Sequence, residues 1–144
     1  MPLLKLLILG FAAGFLAVPI FHRGLWWIFN QTGVIPRERA AWIMDPIPPF
    51  GAPALLSKAF WGGVWGAVLA PVLGGLSAPA YWAGWILLGA FALTLVAFLV
   101  VPRMKGEAMP APVLPRFLVG LSVNGAWGFG TALLLRLIAA VGLS

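Results

Sequence analysis

Phe60-Trp61-Gly62-Gly63-Val64-Trp65-Gly66 lies inside an apolar run from Pro53 to Leu76. About 24 residues rising 1.5 Å each are enough to cross a bilayer. Gly62, Gly66, Ala70 and Gly74 recur at every fourth position and draw a groove of small residues down one helix face. Gly62-x-x-x-Gly66 is the GxxxG spacing that lets two membrane helices bring their backbones together. The pattern returns further along the chain, where Gly63-Val64-Trp65-Gly66 is echoed by Gly125-Ala126-Trp127-Gly128. Pro53, before the first of these segments, matches Pro115, before the second.

Composition sets the class. Of 144 residues, 62% are hydrophobic and only 8% charged, where soluble domains run near a quarter charged. Four charge-poor apolar segments recur, at about 3–21, 53–76, 81–101 and 117–143. They predict an all-α, polytopic membrane helix bundle, a single domain over 1–144 with almost no mass outside the membrane. A net charge of +6 would suggest nucleic acid in a soluble protein. Here the basic residues stand between apolar spans, so topology and anionic headgroups account for them, and no nucleic-acid partner is expected. The absence of cysteine excludes disulfides, thiol catalysis and Cys-ligated metals.

The connection at 22–52 is the least conventional part. Phe21-His22-Arg23-Gly24-Leu25-Trp26-Trp27-Ile28-Phe29-Asn30 is too polar at its start to span and too aromatic to float in water. It predicts an interfacial helix at headgroup depth, with Trp26 and Trp27 as belt residues and Arg23 reaching outward. Gly33 and then Pro36 should stop that helix. The prolines of Asp45-Pro46-Ile47-Pro48-Pro49-Phe50-Gly51-Ala52-Pro53 forbid helix and predict a stiff, extended strap. Pro19 is expected near the end of the first span, and Pro71 should kink the second by removing a bond to the Ala67 carbonyl. Ser77-Ala78-Pro79-Ala80 makes a short turn, so spans two and three are antiparallel neighbours. Six of the tryptophans, Trp26, Trp27, Trp42, Trp61, Trp82 and Trp85, fall near expected interfaces. Trp65 and Trp127 lie deeper and are expected over the glycine grooves.

Val18-Pro19 and Val101-Pro102 each precede basic residues and a glycine, which with the Gly-Trp echo points to a 2+2 arrangement of parallel repeats. The plainer alternative, that tryptophan and glycine simply recur in membrane helices, stays open at this point. Arg23, Arg37, Arg39, Lys58, Arg103, Lys105 and Arg116 flank the two long connections, against Lys5 and Arg136 on the other side. The positive-inside rule then places both connections in the cytoplasm and both termini in the periplasm.

Few side chains could carry chemistry. His22 is the sole histidine, and Glu38, Asp45 and Glu107, the only acids, all sit in connections. A lone histidine could ligate a haem or chlorin, but bonding to a headgroup or a carbonyl is the ordinary role. No catalytic residue, metal site or cofactor is predicted. In the fourth span Gly120, Asn124, Gly128, Ala132, Arg136 and Ala140 share one strip, so Asn124 and Arg136 should face protein. Arg136 can also snorkel to the interface at a helix C-terminus. His22, Arg23 and Arg136 are the candidate ligand or lipid contacts. Gly62, Gly66, Ala70, Gly74, Gly120, Asn124 and Gly128 are the candidate packing residues.

The runs Pro48-Pro49-Phe50-Gly51-Ala52-Pro53, Ala59-Phe60-Trp61-Gly62-Gly63-Val64-Trp65-Gly66 and Asn124-Gly125-Ala126-Trp127-Gly128 resemble a family of small, uncharacterised four-span proteobacterial membrane proteins. The resemblance implies a bacterial inner-membrane location and brings no activity with it. A likeness to tryptophan-rich sensory proteins extends to composition only. These features point first to a non-enzymatic interaction protein, an accessory subunit or self-associating scaffold among membrane lipids, as a homo-oligomer or part of a complex. A small transporter using Asn124 and Arg136, and a lipid- or pigment-binding protein using His22 and the tryptophans, are the rivals.

Overall fold

A computed structural model describes residues 1–142. Among them the chain forms four long helices and one two-stranded hairpin: α1 (Leu3–Gln31), β1 (Pro46–Ile47), β2 (Ala52–Pro53), α2 (Ala54–Leu73), α3 (Ala78–Lys105) and α4 (Val113–Ala140). All four helices are long and apolar enough to cross a membrane. The all-α membrane bundle read from composition is therefore what the chain folds into.

The helices pair as α1 with α2 and α3 with α4, whereas α2 and α3, expected as neighbours, meet little beyond their turn. Gly10 and Gly14 of α1 meet Gly66 and Gly62 of α2 backbone to backbone. Gly89 of α3 meets Asn124 and Gly128 of α4, and Trp85 meets Gly128. The two hairpins, α1–α2 and α3–α4, join mainly through α1 against α4, where the Trp127 indole reaches the Gly14 carbonyl. A core of Ala17, Val18, Leu69, Leu73, Tyr81, Trp85, Trp127 and Ala132 fills the join. Gly66 and Gly128, equivalent in the sequence echo, do the same job in their two hairpins: each lays its backbone on a partner helix. The other half of the echo is not matched, because Val18-Pro19 lies well inside α1 whereas Val101-Pro102 stands one turn from the end of α3.

Three sequence expectations change. The helix expected as a separate interfacial element at 21–30 is the continuation of α1, which runs unbroken to Gln31. Pro19 does not end the helix, since a π-helical turn at Val18–His22 absorbs the missing N–H. At 29 residues α1 is about 43 Å long, so its last turns project beyond the first residues of α2. Gly33, with φ +79°, supplies the stop as expected.

The proline strap is not extended. It folds into the β1–β2 hairpin, Pro46 opposite Pro53 and Ile47 opposite Ala52, with Gly51 at φ +70° closing the turn. The Ile43 and Asp45 carbonyls accept the amides of Leu55 and Ala54, which ties the hairpin to the first turn of α2. Finally, α2 ends at Leu73, so Pro71 sits in its last turn, where a lost bond matters little. The expected end of span four at Leu143 lies outside the described residues.

Antiparallel packing gathers both long connections at one end of the bundle. The α2–α3 turn and the described terminal residues stand at the other. Seven of the nine Lys and Arg side chains therefore belong to one end.

Candidate functional site

The π turn decides what the basic end looks like. One extra residue in a turn rotates everything after it by about 100°. His22 and Arg23 emerge from this turn buried, with 8% and 9% of their surface exposed. The outward-reaching Arg23 expected from sequence is corrected: it lies within the fold, its guanidinium 4.8 Å from the centre of the Trp26 ring.

Arg39, from the connection, places its guanidinium over the same ring at 5.3 Å. Its position is fixed by its own backbone. The Trp26 indole donates to the Arg39 carbonyl at 2.7 Å, and the Asn30 amide donates to the carbonyls of Pro36 at 3.0 Å and Arg39 at 3.2 Å. Asn30 is itself 5% exposed, so its half of the clamp is shielded, while the Trp26 bond lies at the surface. Further positive charges close in from every other helix: Lys58 of α2 neighbours Arg23 and Lys105 of α3, while Arg116 of α4 neighbours Arg39. Desolvation, and then the charge of Arg116, pull the Arg39 guanidinium below the usual arginine value. Among the described residues none of these cations forms an ion pair with a carboxylate.

Beside this cluster the polar residues of the interior meet. Asn124 of α4 faces the His22 ring and donates to the Thr94 hydroxyl of α3 at 2.9 Å. Thr94 is fully buried. Nδ1 of His22 and Nε1 of Trp85 are buried without a hydrogen-bond partner. The histidine expected at the interface, bonding a headgroup or a backbone carbonyl, is thus an interior residue.

The rest of the fourth-span strip faces α3, as its small residues predict. Gly120 packs on Thr94, Gly128 on the Trp85 backbone, and the Ala132 carbonyl accepts the Tyr81 hydroxyl at 2.9 Å. Arg136 is exposed and lays its guanidinium over Tyr81, 4.2 Å from the ring centre. It borders a cavity of about 120 Å³ at the end opposite the basic cluster. A more open groove of about 420 Å³ runs along α1, between Ile20 and Ile28, with Gly24 and Trp27 in its wall.

Other expectations fare differently. The glycine face of α2 is occupied within the chain: Gly62, Gly66 and Ala70 are buried against α1, and only Gly74 is exposed. Trp85, expected near an interface, is wholly buried, whereas Trp127 does pack over the α1–α2 glycine contact. Among the described residues no three His, Asp or Glu side chains gather to hold a metal ion.

No protein family, curated protein or solved structure matches this chain. Its function must be sought in the arrangement just described. Sequence reasoning named His22, Arg23 and Asn124 but missed Arg39, Trp26 and Thr94 as their partners. The available signal was Pro19, whose missing N–H sets the twist of α1.

Proposed function

We propose that the protein is a non-enzymatic integral membrane interaction protein whose working surface is its basic end. In this reading it sits in a bacterial inner membrane, with both connections cytoplasmic and both termini periplasmic, and engages anionic groups of lipids or of a partner subunit. One observation carries it: positive side chains from α1, α2, α3, α4 and the first connection act on one another at one end, and none of them is ion-paired to a carboxylate among the described residues. Like charges held together cost free energy unless something negative joins them. The glycine grooves support helix packing inside one chain, so they leave self-association to other surfaces.

The test is reconstitution in nanodiscs of zwitterionic lipid with and without phosphatidylglycerol, scored for retained lipid and co-migrating protein by mass spectrometry. Enrichment of anionic species, weakened by salt, is the expected result. Indifference to lipid charge, with no acidic partner retained, would overturn the reading.

The transport alternative draws on the unpartnered His22 Nδ1 beside the Asn124–Thr94 pair inside the bundle. Ion or solute flux in sealed vesicles that is abolished by Asn124→Ala would favour it.

A further inference from the structure

Arg23 is a costly cation to bury. It is nine-tenths buried, has no hydrogen-bond acceptor or carboxylate among the described residues, and shares the Trp26 ring with a second guanidinium. Burying an arginine without an anion is unfavourable, and placing another positive charge beside it makes it worse. The local structure does not relieve that conflict. It enforces it, because the Trp26 indole and the Asn30 amide both hold the backbone of Arg39 in place. Two guanidiniums brought to one ring, with their donor forks unsatisfied, match the planar, bidentate recognition of a phosphate.

The neighbouring surface says what carries the phosphate. Past the π turn the helix is α-helical, so Arg23 and Trp27, four residues apart, are neighbours. Trp27 lines the apolar groove of about 420 Å³ on α1, and Arg23 stands just inside it. A cation within one turn of an apolar groove on a membrane helix suits a molecule with a charged head and a hydrocarbon tail.

We propose that Arg23 and Arg39, sharing the Trp26 ring, bind the phosphate of an anionic phospholipid whose acyl chain lies along the α1 groove. This rests on the reading that the basic end is the working surface, and it adds a specific site to it. The two guanidiniums supply the charge-assisted bonds. Lys58 and Arg116 raise the local positive potential, and Trp27 with Ile20 and Ile28 covers the first part of the chain.

The experiment titrates short-chain phosphatidylglycerol into detergent-purified protein and follows tryptophan fluorescence, with retained lipid counted by native mass spectrometry. Arg23→Gln and Arg39→Gln should each weaken binding roughly tenfold, the effect of losing one charge-assisted contact. Arg103→Gln removes the same charge from the same end but is not part of the cluster, and should change binding less than about twofold. Arg39 is exposed, so Arg39→Gln keeps the test sharp if Arg23→Gln folds poorly. Equal, small losses in all three variants would overturn the site while leaving a diffuse preference for anionic lipid intact. No binding by the unmutated protein would overturn both. Inorganic phosphate is the second arm: it should fail to displace the lipid at millimolar concentration, and displacement would overturn the role of the groove.

Discussion

The indole Nε1 of Trp127 on α4 donates to the carbonyl of Gly14 on α1 at 2.9 Å, across the join between the two hairpins. Gly14 lies where α1 and α2 are in backbone contact, so one indole touches three helices at once. Trp127→Phe removes the donor together with the five-membered ring, which leaves a void at a buried site. The lost bond should destabilise the fold by about 0.6 to 1.7 kcal/mol, the range for interhelical bonds in membranes, with the void adding to it. Trp85→Phe is the companion variant, since its Nε1 is buried with no acceptor. Deleting an unsatisfied donor relieves a penalty, so this change should cost less than Trp127→Phe. Reversible unfolding in mixed detergent would rank the pair, and the opposite order would contradict the bonding pattern.

Glycine substitutions should divide according to what a methyl group would meet. At Gly66 it runs into the Gly10 carbonyl and at Gly128 into the Trp85 carbonyl, both backbone atoms with nowhere to go. Gly66→Ala and Gly128→Ala are expected to cost about 1 to 3 kcal/mol each, as overpacked sites do. At Gly125 the nearest atom is the Ala90 Cβ at 3.5 Å, an ordinary contact. Gly125→Ala should be neutral or stabilising by up to about 1 kcal/mol, through better helix propensity. Equal losses at the three positions would mean that the helices do not meet through these backbones. Gly66→Leu should be worse still, and worse than Leu69→Ala on the same helix.

Arg136 and Tyr81 form a small unit that can be taken apart. Arg136 is exposed, so its cation–π contact should be worth about 0.5 to 1 kcal/mol, and Arg136→Lys should be nearly silent. Tyr81→Phe loses the buried bond to Ala132 and should cost about 0.5 to 1.5 kcal/mol. A folded Arg136→Lys protein that has lost a bound species or a flux would move the functional centre to this end of the molecule.

Topology can be read with reporters. A fusion after Ser144 and one in the Ser77 turn should report the same side of the membrane, and one near Gly106 the opposite side. The basic asymmetry makes the Gly106 side cytoplasmic. A cytoplasmic signal from the Ser144 fusion would reverse that orientation.

The four spans and their small-residue faces were legible in the sequence, because hydropathy and four-residue spacing are local signals, whereas the separate interfacial helix and the pairing of spans two and three were not what the chain forms. Asn124 was likewise marked as protein-facing by the small residues that share its strip, and it does bond across to Thr94. The candidate site was legible only in part. His22 and Arg23 read as the polar start of a surface helix because a periodicity argument assumes 3.6 residues per turn. The π turn after Ala17 breaks that assumption and turns both residues inward. Arg39 was out of reach for a different reason. It sits in a connection with no periodicity, and only Trp26 and Asn30, 13 and 9 residues earlier, show where it is held.

The first connection also returns to the helix it came from. The Trp42 indole donates at 2.9 Å to the Pro19 carbonyl, inside the π turn and 23 residues back. A chain made from its N-terminus therefore inserts α1 before the residue that completes it exists. Until residue 42 leaves the ribosome, that carbonyl has no indole to meet, and the π turn lacks its contact from the connection. Shortening or stiffening the stretch between Gly33 and Trp42 should be felt at Pro19, in the middle of α1.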